Sequence, residues 1–143
     1  MGYKLTTFDD LKIGQKASLT KIITKEDLNH FIAITGDENP LHVDESFAKR
    51  TFFGQRIAHG MLSASLFSTL VGMYIPGIGA IYKSQTLEFL LPVFIGDTLC
   101  AWFEIVGVDL DNEEIEIRSW IENQDGQNVI KGKTVASLLR GLK

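Results

Sequence analysis

The hydrophobic pattern of the chain predicts an α+β fold in which an antiparallel sheet wraps around one central helix. Three observations lead there. Residues 24–36 carry a capped amphipathic helix pattern, residues 60–75 form a run that is apolar on nearly every helical face, and residues 80–139 read as successive strands. A helix that is apolar all round must be covered, and a strand meander is the element available to cover it.

Taken in order, an early strand is predicted over Gln15 to Ile23. Thr24 with Asp27 three residues later resembles a capping box, Leu28, Phe31 and Ile32 follow at helical spacing, and Gly36 supplies a stop. From Pro40 to His59 polarity is mixed and no period is sustained. This predicts a long irregular segment with one helical turn, of the kind that is usually functional in a small domain. Gly60 then opens MLSASLFSTLVGMY, which Pro76, Gly77 and Gly79 end. Strands are predicted near Ala80 to Leu91, Thr98 to Val108, Glu113 to Glu122 and Val129 to Leu139, with turn signals at Gly96-Asp97, Asp109 to Asn112 and Asp125-Gly126. Ile115, Ile117, Ser119 and Ile121 alternate with Glu114, Glu116, Arg118 and Trp120, a period of two that suits a sheet covered on one face. Such a sheet leaves edge strands, which a dimer can cover.

Length and charge narrow the function. The 143 residues suit one domain spanning 1–143, since a core of this size buries about two thirds of the unfolded surface. Fourteen basic against 18 acidic residues, a net charge of -4, provide no general attraction for nucleic acid or an anionic membrane. Ser63, Ser65, Ser68 and Gly72 interrupt the longest apolar run, Met61 to Ile75, and it falls short of the roughly 20 residues of a membrane span. The first residues, MGYKLTTFDDLK, lack the pattern of a signal peptide, and Cys100 has no second cysteine to pair with. Both point to the cytoplasm. Cys100 lies in an alternating strand pattern, where a buried small apolar residue is the reading favoured over a nucleophile.

The chemistry concentrates in TGDENPLHVDESFA, residues 35–48. Pro40 disfavours helical geometry for Asn39, so the chain turns just after Gly36 and Asp37 can approach His42. Two readings follow. Asp37 can cap backbone amides in an ordinary turn, or a carboxylate and an imidazole can hold one water between them and move its proton. Downstream, IAHGML places Gly60 at the start of a helix, where a free N–H unshielded by a side chain can hold a carbonyl oxygen as it takes on negative charge. Close packing would also account for a glycine there. Three histidines without mutual ligand spacing predict no metal site.

These segments resemble the signature of the MaoC-like, (R)-specific enoyl-CoA hydratases. The first matches the pattern Gly-Asp-x-Asn-Pro-Leu-His followed by a small residue, here Ala48, and FGQRIAHGMLSASL matches the second. QTLEFLLPVFIGDTL supplies the family's positions at Gln85, Phe89, Pro92, Val93, Gly96 and Asp97. The resemblance runs from about Thr24 to Val108. It implies a hot-dog fold, an acyl-CoA thioester substrate, no cofactor, and a homodimer whose acyl tunnel runs near the interface. It also implies that Asp37 and His42 bind and activate the water that adds to a trans-2-enoyl thioester. By the same resemblance Gly60 is the backbone oxyanion donor, Ser63 a hydrogen-bond partner of the pair, and Asn39 a support of the loop or of the pair. His59 is read as a histidine hydrogen-bonded for structure and His30 as a surface or partly buried residue.

Within the same fold, β-hydroxyacyl-ACP dehydratases and acyl-CoA thioesterases are the rivals. Those families usually place a carboxylate on or beside the central helix, and here no Asp or Glu occurs between Glu45 and Glu88. A non-catalytic acyl-binding module is the rival of another class, and the presence of both Asp37 and His42 argues against it. Lys49, Arg50 and Arg56 could meet CoA phosphates, although solvated surface charge is the favoured reading of each.

Overall fold

The computed structural model describes residues 2–141. Strand β1 (Lys16–Ile22) precedes α1 (Lys25–Thr35), two short helices α2 (Pro40–Val43) and α3 (Glu45–Lys49), and then α4 (Gly60–Ala64) and α5 (Leu66–Thr69). Strands β2 (Ala80–Gln85), β3 (Glu88–Phe89), β4 (Thr98–Asp109), β5 (Glu114–Glu122) and β6 (Asn128–Leu138) complete the order. All pairings are antiparallel in the order β1-β4-β5-β6-β2, with β3 also paired to β6. The predicted meander is therefore β4-β5-β6, flanked by strands from earlier in the chain.

Alternation decides which side chains meet the helix. Leu99, Ala101, Phe103 and Ile105 of β4 and Ile115, Ile117, Ser119 and Ile121 of β5 are all buried. They face Phe67, Leu70 and Val71 of the central helical segment, with the Phe67 and Phe103 rings 5.5 Å apart. This curled sheet closed on a helix is the hot-dog arrangement. The outward residues of the same strands stay half-buried or exposed, and Trp102 and Trp120 stack there at 5.8 Å.

Four expectations change. The central helix is continuous in right-handed backbone but runs as α4, α5 and a π-helical turn over Leu70–Tyr74. It is not buried all round. Met61, Ser65, Ser68, Thr69 and Met73 form an exposed stripe at helical spacing, because the sheet curls around only one side. The strand predicted over Ala80 to Leu91 breaks in two where the Thr86 carbonyl crosses β6: a Cβ at Gly132 would lie 1.9 Å from that oxygen, so only glycine permits the crossing. Cys100 is half-buried and points outward, since Leu99 and Ala101 take the inward register. Finally, the segment after Pro40 holds two short helices where one turn was predicted.

The alternation of β5 is open to direct test. Ile117→Ala removes a fully buried side chain and should cost about 2–5 kcal/mol. Arg118→Ala, one residue on, breaks an exposed ion pair with Glu104 and a cation–π contact over Trp120 at 4.5 Å, and should cost less, no more than about 1–2 kcal/mol. Urea denaturation midpoints of the two variants measure the difference.

Candidate functional site

The site begins at the end of α1. Thr24 and Asp27 form the predicted capping box at its start, and Gly36 ends it in the left-handed conformation at φ 74°. The reversal that follows is built by side chains. Asp37 N–H donates to Thr35 Oγ1 at 3.2 Å, and Asn39 N–H donates to Asp37 Oδ1 at 3.2 Å. Asn39 Oδ1 then accepts from Leu41 N–H at 3.0 Å as the N-cap of α2, with Pro40 as the first helical residue. Asn39 thus supports the loop, and the helix it starts carries His42.

His42 is fixed from the other side of the loop. Its Nδ1 lies 2.8 Å from the Ile57 carbonyl oxygen, which can only accept, so Nδ1 carries the proton and Nε2 keeps its lone pair. Arg56, next in the chain, donates from Nη1 to the His42 carbonyl at 3.3 Å and lies 3.5 Å from the Glu45 carboxylate. Its side chain is only 13% exposed, so the favoured reading of Arg56 as a solvated charge is corrected: the α2–α3 turn folds over it. Lys49 and Arg50 are exposed as expected.

His59 was not counted among the residues of the site, yet it touches both members of the pair. It is buried, its Nε2–H donates to the Asp37 carbonyl at 3.1 Å, and its ring stacks on His42 at 3.9 Å and 28°. Phe31 from α1 packs on it at 4.8 Å. A histidine bonded for structure is what the sequence predicts here, and the bond is present. Its stacking on His42 has no signal in the sequence, because the two rings are 17 residues apart on unrelated elements. His30 is exposed.

The carboxylate of Asp37 and one ring nitrogen each of His42 and His59 lie within 4.8 Å of one another. Sequence spacing conceals this grouping. As a metal site it is poor, because stacked rings aim their in-plane lone pairs side by side and do not converge on an ion about 2.0 Å away. As a proton-transfer site it is well spaced. Two hydrogen bonds of about 2.8 Å meeting at one water oxygen span about 4.5 Å.

Gly60 follows His59 as the first residue of α4, where an N–H has no intrahelical acceptor. A Cβ there would meet the Phe89 ring at 2.7 Å, so close packing does account for this glycine, as one of its two readings holds. Without a Cβ, the residue also puts no side chain of its own beside its N–H. Two cavities adjoin at Gly60, Met61 and His42. One, of about 510 Å³, is walled mainly by apolar residues including Phe53, Phe89, Leu90 and Ile130. The other, of about 750 Å³, includes Asp37, His59, Ser65, Ser68, Tyr82 and Gln85. Ser63 lines the first, fully buried, and its hydroxyl bonds neither Asp37 nor His42. The hydrogen bond to the pair expected of it is not formed among the described residues. Ser68, which the sequence reading passed over as one small hydroxyl among several, shares the second cavity with Asp37.

A helix start at Gly60 with an aspartate and two histidines grouped beside it, and two cavities that adjoin there, define a hot-dog protein with a site at the uncovered side of its central helix. The profile of the MaoC-like domain family matches residues 10–135, and the chain belongs to that family. It is 43% identical over 135 residues to an (R)-specific enoyl-CoA hydratase of Rhodospirillum rubrum, covering 94% of this chain and 93% of that one. Among solved structures it is similar to the (R)-hydratase from Aeromonas caviae, at 42% identity with a TM-score of 0.87 over 90% of this chain and 98% of that. An R-hydratase from Pseudomonas aeruginosa superposes with a TM-score of 0.88 at 36% identity, covering 97% and 94%. No helix among the described residues is long and apolar enough to cross a membrane.

Burial sets a pH dependence. It holds His59 below its ordinary value of 6.5, with the proximity of His42 adding to the effect and the bond to the Asp37 carbonyl opposing it. As pH falls through 6.5 the unfolded chain binds a proton that the folded chain refuses, so this contribution to stability is present above 6.5 and is lost progressively below it. Thermal melts between about pH 7.5 and about pH 5.5 should show a smaller loss in His59→Phe than in the unmodified chain.

Proposed function

We propose that the protein adds water across the double bond of trans-2-enoyl-CoA thioesters to form (R)-3-hydroxyacyl-CoA, and runs the reverse dehydration. The observation that carries this reading is the His42–Ile57 hydrogen bond. It leaves the Nε2 lone pair of the neutral His42 ring free, on a side chain that lines the same cavity as Asp37 and Gly60. The hydratase relatives and their coverage support the substrate class and the configuration.

In this reading Asp37 accepts a hydrogen bond from one O–H of a water molecule, which stays on the oxygen, and His42 Nε2 takes the other hydrogen as a proton. The water oxygen bonds to C3 while the C2–C3 π electrons move toward the thioester carbonyl, whose oxygen gains negative charge and is held by the Gly60 N–H. The enolate then recovers its carbonyl and C2 takes the proton back from the imidazolium. One water is consumed, and no net oxidation or reduction occurs, so the reaction calls for no redox cofactor. Because one pair holds both the oxygen and the returning proton, both arrive on one face. Addition is syn.

Crotonyl-CoA should therefore yield (R)-3-hydroxybutyryl-CoA, read by chiral chromatography after hydrolysis, with a run in deuterated water locating the α-proton. Asp37→Asn and His42→Gln should each lower the rate about 100- to 10,000-fold while keeping the circular dichroism of the fold. An (S) product, thioester hydrolysis in place of hydration, or activity within about threefold in both variants would overturn the reading.

We also propose that residues 1–143 act as one domain, in the cytoplasm, and that two copies assemble. The two terminal strands of the sheet support a dimer, as do exposed apolar side chains such as Phe52 at 96% exposure, Met73 at 65% and Tyr74 at 52%. Light scattering coupled to size-exclusion chromatography should give twice the 15.9 kDa chain mass. A fully active monomer at micromolar concentration would count against it.

A further inference from the structure

We infer that His59 is a positioning residue, which sets the distance between Asp37 and His42 through two different faces of one buried ring. The inference rests on the hydration reading above. Three attachments meet in this residue. Through its edge, Nε2–H holds the Asp37 carbonyl at 3.1 Å. Through its flat face it supports the His42 ring at 3.9 Å. Through its own carbonyl it accepts from Leu62 N–H at 3.1 Å and Ser63 N–H at 3.4 Å, which starts the helix that presents Gly60. Asp37 otherwise belongs to an exposed loop and His42 to a helix of only four residues. His59 ties both to the core.

Chemistry explains why the position holds an imidazole. A phenyl ring would supply the stacking face with no donor for the Asp37 carbonyl, and an amide would supply the donor with no face. An imidazole supplies both, and it does so at a cost: its Nδ1 is buried and has no hydrogen-bond partner. An unmet buried acceptor of this kind is expensive, and an arrangement serving packing alone would avoid it with phenylalanine. The ring must also be neutral, because a cation stacked on His42 would oppose the proton that His42 receives from water. Burial among Phe31, His42 and the loop carbonyl keeps it so.

The test dissects the two faces. His59→Phe keeps the stack and loses the donor, and His59→Gln keeps a donor and loses the stack. In each, kcat on crotonyl-CoA should fall about 10- to 100-fold, the cost of a misplacement of about 1 Å, with KM held within about twofold. Long-range proton–nitrogen spectra of the ring nitrogens provide a second readout that needs no turnover. In the unmodified protein near neutral pH, His42 should be the single Nδ1–H tautomer and His59 the neutral Nε2–H tautomer; in His59→Gln, which loses the ring that backs His42, the His42 signal should shift to a tautomer mixture, and in His59→Phe, which keeps that ring, it should not. A residue that only stabilises the fold would lower the melting temperature and leave kcat and the His42 tautomer unchanged. Normal kcat in two folded variants overturns the inference. So does a charged or Nδ1–H His59 in the unmodified protein, a result independent of whether either variant folds. Absence of hydration by the unmodified protein would instead sink the hydration reading, while the tautomer spectra would still decide where His59 holds its neighbours.

Discussion

The 2.8 Å hydrogen bond between His42 Nδ1 and the Ile57 carbonyl is the contact on which the chemistry of this site depends. A histidine in a four-residue helix beside an exposed loop would sample both tautomers and many ring orientations. Bonding one nitrogen to a carbonyl, which cannot donate, makes the other the acceptor whenever the ring is neutral. The same residue reaches back a second time, through Ile57 N–H to the Leu41 carbonyl at 3.4 Å, and Arg56 adds a third link to the His42 carbonyl. Residues 56 and 57 therefore clamp α2 by its backbone and the His42 ring together.

Around that bond the molecule trades polar satisfaction for geometry. The His59 ring and the Ser63 hydroxyl are both buried, and each keeps a polar atom without a partner. Most buried polar atoms in folded proteins are paired, so two such atoms beside one helix start mark a place where packing has been arranged for something other than stability. The site also occurs where the sheet stops. The curled strands cover the core face of the central helix, and the uncovered stripe through Met61, Ser65 and Ser68 is the wall that the second cavity uses. A sheet that closed completely would have left no room for this cavity.

Phe89 illustrates how closely the two requirements are set. Its ring lies over Gly60, and it belongs to a strand only two residues long, pinned to β6. The break that isolates this strand is made by the Thr86 carbonyl passing over Gly132. A backbone crossing on β6 thus determines where an aromatic ring sits at the start of a helix some 70 residues earlier.

Much of this was determined by sequence alone, for reasons of period and local chemistry. The strand alternation through Ile115, Ile117, Ser119 and Ile121, the capping box at Thr24 and Asp27, the stop at Gly36 and the turn led by Asn39-Pro40 all depend on neighbours within a few residues. Each was legible before any contact was known. Asp37, His42 and Gly60 were legible as a motif for the same reason. Tertiary structure decided what long-range approach decides. The break at Thr86 depends on a crossing 46 residues away, the outward turn of Cys100 on which of two registers the core accepts, and the burial of Arg56 on how the α2–α3 turn folds over it. That His59 lies against His42 and that Ser63 does not reach the pair are likewise facts of helix orientation. No spacing rule carries them, because the elements involved come together only when the sheet closes on the helix.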